Sequence, residues 1–553
     1  MKIGFRTGLA VLAAGALALS AAACSPGGSS GGSSGTGNIL RVGATAAVDS
    51  LNPFVSDSDY SVVMYQYVYP HLTEYDENLE IVPSFAQSWE TSEDGKTWTF
   101  HTVPGAKWSD GEPLTADDVA FTANLILEYA DGPTGILAGW VAHLDNAEAV
   151  DENTVVLTYE TPVANVLTQM QALHILPEHV WSPMATGDGV ELTNFENSPP
   201  MVSGGPFALD SYKKDQMMLF SSNENWYGKK PNIDGWGLQF FANDDAMVSA
   251  LKSGQIDMTG LTTPPTAVET LKDAGMVVQT GQGVTIKNLI INTNPAKLSH
   301  PELLNPDVRK ALEYGIDRTE IVEQTYLGMA EPGSTLLTPA TGFRNEAIPG
   351  LPFDIDAANA ILDGLGYLPG SDGVRVADGV PMKYEVIFPT DESGSGDRAF
   401  QTMQRGWEKI GIQAEQRKMD SDAAWDAITA PDNQYLEYDL AMWNWTPPVE
   451  PDFILSTLTC AALGGNSDSG YCNPEYDALY KAQGTELDET KRRAIIDEMQ
   501  QVIFDDRPYI IYAYPNVIEA HSPEWEGFVL SPLIGSINNL STQTLTQVQR
   551  VEK

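Results

Sequence analysis

Few residue patterns in this chain resemble a catalytic motif, and the residues around each of them rule out a catalytic site. The motif Gly-x-Ser-x-Gly presents a nucleophilic serine on a strained strand-to-helix turn, and it occurs at residues 27–31 and 31–35. Both copies lie in a Gly/Ser tract that cannot form such a turn. Residues 95–97, Gly-Lys-Thr, match the end of a phosphate-binding loop, but Glu90 stands where that loop requires glycine. We therefore predict no catalytic residue and a protein that is not an enzyme.

One enzymatic alternative stays open, a secreted hydrolase that uses two carboxylates. The chain has 75 acidic residues, so candidate pairs are abundant. The separation that glycoside hydrolysis needs is spatial. The sequence therefore favours no particular pair.

Metal-ligating residues are also poorly arranged. His174 and His179 are the closest of the seven histidines, but Pro177 lies between them and the spacing matches no zinc motif. We expect structural or surface roles for both. Residues 57–61 place carboxylates at alternate positions, yet Val62 replaces the glycine of a calcium loop. The sequence predicts no metal site and no cofactor.

Cys460 and Cys472 flank a loop rich in Gly, Ser and Asn. In an exported protein, two such cysteines favour a disulfide. A loop of this length contributes about 3 kcal/mol in the chain-entropy model. The alternative is a pair of free thiols.

The N-terminus predicts export and attachment to a membrane. Lys2 and Arg6 precede the small and apolar residues 8–23, a run too short to span a bilayer stably. Residues 21–24, Ala-Ala-Ala-Cys, resemble the lipobox of bacterial lipoproteins, in which the cysteine becomes the lipidated first residue. Cys24 is thus the predicted lipidation site, and the alternative is an ordinary cleavage site. The Gly/Ser tract that follows predicts a flexible tether of about 20 Å.

Length and charge set further bounds. Residues 39–553 exceed the roughly 250 to 300 residues at which single cores stop growing, so we expect at least two lobes. The formal net charge of −44 makes nucleic acid and anionic lipid poor partners. We expect contact with the membrane through the lipid anchor only.

Strand and helix patterns alternate along the chain. Residues 89–100 read as a hairpin, and Thr115 caps a predicted helix that begins near Ala116. Asp244 to Lys252 predicts a helix that Gly254 ends. An amphipathic helix is expected over 490–504, followed by a buried strand over 510–514. Such interleaving indicates an α/β or α+β protein.

Several long segments resemble the family 5 solute-binding proteins of ABC importers, which are oligopeptide, dipeptide and nickel receptors. The matching segments are Ile81–Glu90, Asp94–Phe100, Lys107–Val119, Gly204–Phe207, Ala250–Asp257, Val308–Arg318, Tyr438–Trp443 and Cys472–Asp477. The resemblance implies an α/β fold of the periplasmic-binding-protein-like class II (cluster C) type. Two lobes joined by two crossing strands would close over a ligand about a hinge.

The resemblance also implies a domain organisation. A signal peptide covers residues 1–23, and the lipidated cysteine with its linker covers 24–38. The remaining boundaries are lobe I at 39–58, 200–286 and 515–553, an extra subdomain of lobe I at 59–199, and lobe II at 287–514. The cysteine pair further resembles the disulfide of dipeptide receptors in this family.

By alignment in sequence order, the ligand would lie between two walls. The first wall consists of Asp57, Ser58, Asp59 and Tyr60, and the second is the loop 443–453. From that loop we predict as ligand-binding residues Trp443, Asn444, Trp445, Glu450 and Asp452. Peptide receptors carry an aspartate here that pairs with the α-ammonium of the ligand, and Pro447 and Pro448 occupy that region instead. Glu450 or Asp452 would have to supply the charge, because a buried unpaired ammonium costs several kcal/mol.

The predicted function is an extracytoplasmic, lipid-anchored receptor that captures peptides and delivers them to an ABC permease as a monomer. An oligosaccharide ligand is the alternative, because Trp443 and Trp445 could stack on sugar faces. A nickel ligand is disfavoured, since no histidine falls in the wall segments. A sensor that signals without import would need the same closure.

Overall fold

The computed structural model describes residues 38–552 except 47, 57, 261–262, 430–437, 532–534 and 539. The predicted signal peptide, Cys24, most of the linker and Asp57 lie outside these residues. Over the described part, no helix has both the length and the apolar composition needed to cross a membrane.

Strands and helices are interleaved along the described chain. The strands are β1 (Ile39–Ala44), β2 (Thr73–Tyr75), β3 (Ile81–Pro83), β4 (Ala86–Thr91), β5 (Thr97–Thr102), β6 (Leu144–Asp151), β7 (Thr154–Tyr159), β8 (Phe207–Lys213), β9 (Met217–Ser222), β10 (Gly235–Phe240), β11 (Met258–Thr259), β12 (Val277–Gln282), β13 (Ile286–Ile291), β14 (Ala330–Pro332), β15 (Val376–Ala377), β16 (Val380–Pro381), β17 (Lys383–Pro389), β18 (Gln413–Met419), β19 (Leu440–Trp445), β20 (Tyr509–His521), β21 (Trp525–Glu526) and β22 (Gln549–Arg550). The α-helices are α1 (Asp59–Val68), α2 (Ala116–Glu128), α3 (Val166–Ala172), α4 (Glu178–Trp181), α5 (Val190–Asn194), α6 (Asp244–Ser253), α7 (Val268–Asp273), α8 (Pro306–Tyr314), α9 (Arg318–Thr325), α10 (Ile355–Gly364), α11 (Ser395–Lys409), α12 (Ser421–Thr429), α13 (Asp452–Ser456), α14 (Pro474–Thr485), α15 (Glu489–Asp506) and α16 (Gln543–Gln547).

One 12-stranded mixed sheet organises the chain. Its order is β18-β17-β19-β13-β20-β11-β1-β10-β9-β8, and β12 and β14 pair with β20 off this path. The helices between its strands allow the parallel pairings, which need long crossover connections. The α/β fold class expected from the resemblance is confirmed.

Strand β20 joins the two halves of this sheet. Its first part pairs with β13, and its last part pairs with β11 and β12. The chain crosses once more between β12 and β13, through residues 283–285. These are the two crossing strands that the resemblance implies. The predicted boundaries between lobe I and lobe II, at 286/287 and 514/515, fall inside β13 and β20. The limits of the lobes stay a prediction.

A separate four-stranded sheet, β4-β5-β7-β6, lies within the predicted extra subdomain. The expected hairpin forms its β4–β5 pair, with Trp89 opposite Phe100. Helix α2 begins where the sequence predicts, because Thr115 and Asp118 form a capping box at its first turn. Local turn and cap signals therefore position this sheet and its helix.

The strands around β13 separate two apolar cores. Leu289 and Ile291 point into the apolar cluster that includes Trp407. Ile286 and Ile290 point into a second apolar cluster, which includes Tyr476. Alternate residues of a strand face opposite sides of a sheet. β13 is therefore covered on both faces, which fixes its register and the position of its neighbour β19.

The predicted disulfide between Cys460 and Cys472 is present. It closes the loop that carries the buried residues Ser467, Asp468 and Ser469. We expect the Cys460→Ser/Cys472→Ser variant to lose about 3 kcal/mol of unfolding free energy, because the unfolded loop is no longer restrained. Urea titrations of the variant and the wild type measure this loss. Equal unfolding midpoints with equal slopes would contradict it.

Candidate functional site

One group of parallel strands directs its carboxyl ends toward the middle of β20. β1 runs parallel to β10 and β11. β11 is antiparallel to β20, with Met258 opposite His521. The chain therefore leaves β11 in the direction of the lower numbers of β20, toward its centre.

A second group approaches the same centre from the other side. β17 runs parallel to β18 and β19, and the last residue of β19, Trp445, lies opposite Ile286. The next residue, Lys287, lies opposite Ala513 near the middle of β20. Ligands of open α/β sheets bind outside the carboxyl ends of the strands. The candidate site therefore lies around the centre of β20, between the two groups.

The first predicted wall lies at the start of α1. Ser58 caps this helix by accepting a hydrogen bond from the backbone N–H of Ser61 at 3.4 Å, and the two hydroxyls are 2.8 Å apart. Ser61 in turn donates to Oδ1 of Asp49 at 2.9 Å. Asp59 is exposed in the first turn. Ser58 thus has a structural partner as well as its predicted ligand role.

Tyr60 reaches the carboxyl ends of β1 and β11. The Tyr60 side chain is buried. A Cβ built on Gly260 would lie 2.5 Å from the Tyr60 hydroxyl and 2.4 Å from the carbonyl oxygen of Gly43. Only glycine leaves room there for the tyrosine. This contact places Tyr60 on the first side of the candidate site.

The second predicted wall carries a cluster of aromatic side chains. The ring of Trp425 lies 5.6 Å from the rings of both Trp443 and Trp445, and Trp445 lies 5.8 Å from Phe453. Phe453 is 38% exposed and the three indoles are half-buried. The cluster offers flat apolar faces beside the end of β19. Sequence reasoning missed Trp425, which lies on α12 outside the predicted loop.

Asp468 holds the indole of Trp445 in place. Trp445 Nε1 donates to Asp468 Oδ2 at 3.1 Å, and the Tyr509 hydroxyl donates to the other oxygen. The Tyr438 hydroxyl donates to the backbone carbonyl of Asp468. Burial raises the pKa of Asp468 to about 7, although the Tyr509 and Trp445 hydrogen bonds oppose the shift. The disulfide loop thus supports the aromatic cluster.

Glu450 and Asp452 contact residues of this chain. The Glu450 carboxylate pairs with Arg492, whose Nη1 lies 3.1 Å from Oε2. Arg492 also donates to Gln483 Oε1 at 2.9 Å. Gln483 Nε2 donates to Asp452 Oδ1 at 2.8 Å, and Tyr480 donates to Oδ2 at 3.3 Å. Both carboxylates have partners, so their predicted role toward a ligand ammonium stays a prediction with a competing structural role.

Asn444 belongs to a polar cluster on the opposite face of β19 from the indoles. Its Nδ2 donates to Glu392 Oε1 at 2.8 Å, and Lys287 Nζ donates to the same oxygen at 2.7 Å. Lys287 and Glu392 are 14% and 15% exposed. Sequence reasoning missed both residues. The only available signal was that Glu392 follows an apolar strand pattern, 384–388, at its carboxyl end.

The two histidines closest in sequence, His174 and His179, both have partners within the chain. His174 lies buried against His71, with Nδ1 and Nε2 2.8 Å apart, and burial lowers the pKa of His174 to about 4. His179 pairs with Asp110 at 2.9 Å. Within the described ranges, no three His, Cys, Asp or Glu side chains form a group that could hold a metal ion.

The sequence matches a known family. A family model described as "Bacterial extracellular solute-binding proteins, family 5 Middle" matches residues 80–464. The chain is 27% identical over 489 residues to the dipeptide-binding protein of Escherichia coli, which covers 82% of this chain and 84% of that protein. It is also 27% identical over 536 residues to protein XP55 of Streptomyces lividans. That match covers 96% of this chain and 93% of XP55.

Solved structures share the fold. An oligopeptide-binding protein from Thermotoga maritima superimposes with a TM-score of 0.81 at 22% identity, covering 93% of this chain and 99% of the other. The oligopeptide-binding protein AppA of Bacillus subtilis, in complex with a nonapeptide, gives a TM-score of 0.77 at 21% identity, with 93% and 99% covered. At these identities the likeness establishes the architecture alone.

Proposed function

Because the chain belongs to family 5 of the bacterial extracellular solute-binding proteins, we propose that it captures peptides between two closing lobes and delivers them to an ABC permease. The observation that carries the proposal is the meeting of two groups of strand carboxyl ends at the centre of β20. Relatives described as dipeptide-binding and di/tripeptide-binding proteins support the ligand class. In this role the protein acts as a receptor, without catalysis.

Calorimetric titration of the mature chain with di-, tri- and tetrapeptides tests the proposal. We expect binding of one peptide per chain, and native mass spectrometry of the freshly purified protein should detect a co-purified peptide. Ligand excess should raise the unfolding temperature. Absence of peptide binding at millimolar concentration would overturn the peptide assignment. Shortened peptides in the product would instead indicate the hydrolase.

Trp445 offers a sharper form of this test. We expect Trp445→Ala to weaken peptide binding about tenfold or more, because tryptophan is enriched among the few residues that dominate binding energy. Trp89→Ala is the matched control, since Trp89 is also half-buried but lies on β4 in the separate sheet. Equal affinities for Trp445→Ala and Trp89→Ala would remove Trp445 from the site.

An oligosaccharide ligand is the second candidate, favoured by the half-buried indoles of Trp425, Trp443 and Trp445. Indole faces stack on apolar groups of many ligands. Titration with cello- and manno-oligosaccharides in the same calorimetric assay separates the two ligand classes. Binding of a glycan without binding of peptides would favour this candidate.

The proposed location is the outer face of the cell membrane, where lipid on Cys24 anchors the chain. The proposed oligomeric state is a monomer. Cells that express Cys24→Ser should release the protein into the surrounding medium or periplasm, whereas the wild type should remain with the membrane. Stable attachment requires more than one acyl chain. Retention of Cys24→Ser on the membrane would contradict the lipid anchor.

A further inference from the structure

The Lys287–Glu392 pair lies at the carboxyl ends of the strands that border the candidate site. β17 and β19 are parallel, with Ile387 opposite Ala441. Glu392 follows β17 in the short 3-10 turn Thr390–Glu392, and Lys287 lies beside the middle of β20, opposite Ala513. The pair is therefore placed where a ligand of this fold would pass.

The two oxygens of the Glu392 carboxylate differ in their contacts. Oε1 accepts from both Lys287 Nζ and Asn444 Nδ2, at 2.7 and 2.8 Å. Oε2 accepts no hydrogen bond from any residue that the structure describes, and it is not among the fully buried side-chain oxygens. Two donors thus orient the carboxylate and leave one oxygen for a ligand donor.

The charge of the pair determines what it can recognise. Lys287 and Glu392 together are neutral, so an isolated ligand ammonium would gain from Glu392 but be repelled by Lys287. In an extended peptide, the backbone N–H donor and the carbonyl acceptor of one residue point to the same side of the chain. Glu392 Oε2 can accept from the first, and Lys287, which has three N–H donors, can donate to the second. Hydrogen bonds to charged groups are the stronger ones.

We propose that Lys287 and Glu392, oriented by Asn444, form a subsite that binds the backbone N–H and C=O of one residue of the ligand. The inference rests on the proposed peptide function and extends it. Recognition at this subsite depends on the backbone of the ligand and is independent of its terminal charges.

Glu392→Gln tests the subsite without removing its internal contacts. Lys287 and Asn444 both donate, so they hold the oxygen of the new amide. The NH₂ group must then face the ligand, where it meets another donor. We expect at least a tenfold rise in Kd. The charge-assisted hydrogen bond is lost, and the amide NH₂ of the new glutamine faces the N–H of the ligand, so neither donor has an acceptor. Asp391→Asn, an exposed carboxylate in the same turn, is the control and should change Kd less than twofold.

Each variant is titrated with a tripeptide and with its N-acetylated form, which lacks the terminal ammonium. An equal loss of affinity for both peptides supports binding of the ligand backbone. A loss confined to the free-amine peptide would show that Glu392 recognises the ammonium, and no loss would remove Glu392 from the site; either result overturns the inference. Unfolding temperatures of Glu392→Gln and wild type should agree within a few degrees. If wild type itself bound neither peptide, the proposed function would fail, a result distinct from all of these.

Discussion

Replacement of Arg492 by alanine should lower the free energy of unfolding by about 3 to 5 kcal/mol, the range observed when one partner of a buried ion pair is removed. The Glu450 and Arg492 side chains are only 12% and 9% exposed. Without the guanidinium, Glu450 loses its cation and Gln483 loses two donors. Urea titration followed by tryptophan fluorescence measures the change.

Two further variants separate the buried pair from general effects on α15. Lys491→Ala removes the neighbouring cation, which is 70% exposed and lies 3.9 Å from Asp488, and should cost no more than about 0.5 kcal/mol. The double variant Glu450→Gln/Arg492→Met should recover much of the loss, because no unpaired charge is left buried. A loss below 1 kcal/mol for Arg492→Ala would show that water reaches Glu450.

Asp468 should make the protein less stable as the pH rises from about 4 to about 7. Burial raises its pKa to about 7 in the folded chain, whereas an unfolded aspartate titrates near 4. Between these values the folded state keeps a proton that the unfolded state releases, so the unfolding free energy falls with pH. The contribution is fully present below pH 4, amounts to a few kcal/mol, and is lost above pH 7.

The comparison of wild type with Asp468→Asn isolates this contribution. The variant cannot ionise at this position, so the difference in unfolding free energy between the two proteins should change by a few kcal/mol between pH 4 and 7. Glu519 provides a second case, because burial raises its pKa to about 7 and Ser536 is its hydrogen-bond partner. Parallel pH profiles for wild type and Asp468→Asn would contradict the prediction.

Local signals predicted individual elements well. Thr115 and Asp118 cap α2 at the predicted residue, and Gly254 ends α6 with a positive φ of 76°. These features depend on neighbours within a few residues. The buried strand predicted over 510–514 is in fact the beginning of the 13-residue β20.

The full length of β20 could not be predicted from its amino-acid composition. Pro515 has no backbone N–H and usually ends a central strand. Here it lies where β20 changes partners, opposite Ala330 of β14. The two residues that follow are partly exposed, and the last four, 518–521, are buried. Pairing with β11 and β12, which are distant in sequence, extends the strand beyond Pro515.

The candidate site was harder to predict than the fold. Glu450 is near the expected position, but Arg492 lies 42 residues away and pairs with it. Nothing in the loop 443–453 indicates that contact. Glu392 is one of 75 acidic residues, and only the parallel pairing of β17 with β19 places it beside Asn444. The charges of a site depend on tertiary contacts, which a single sequence does not display.

The central position of β20 also has a consequence for the order of folding. The strand lies between β13 and β11, yet its contact with Thr259 joins residues 261 positions apart, and Thr542 reaches Glu74 across 468 positions. Such long closures are slow, because chain entropy is lost before the contacts form. The sheet therefore cannot be completed before β20, near the end of the chain, has been synthesised.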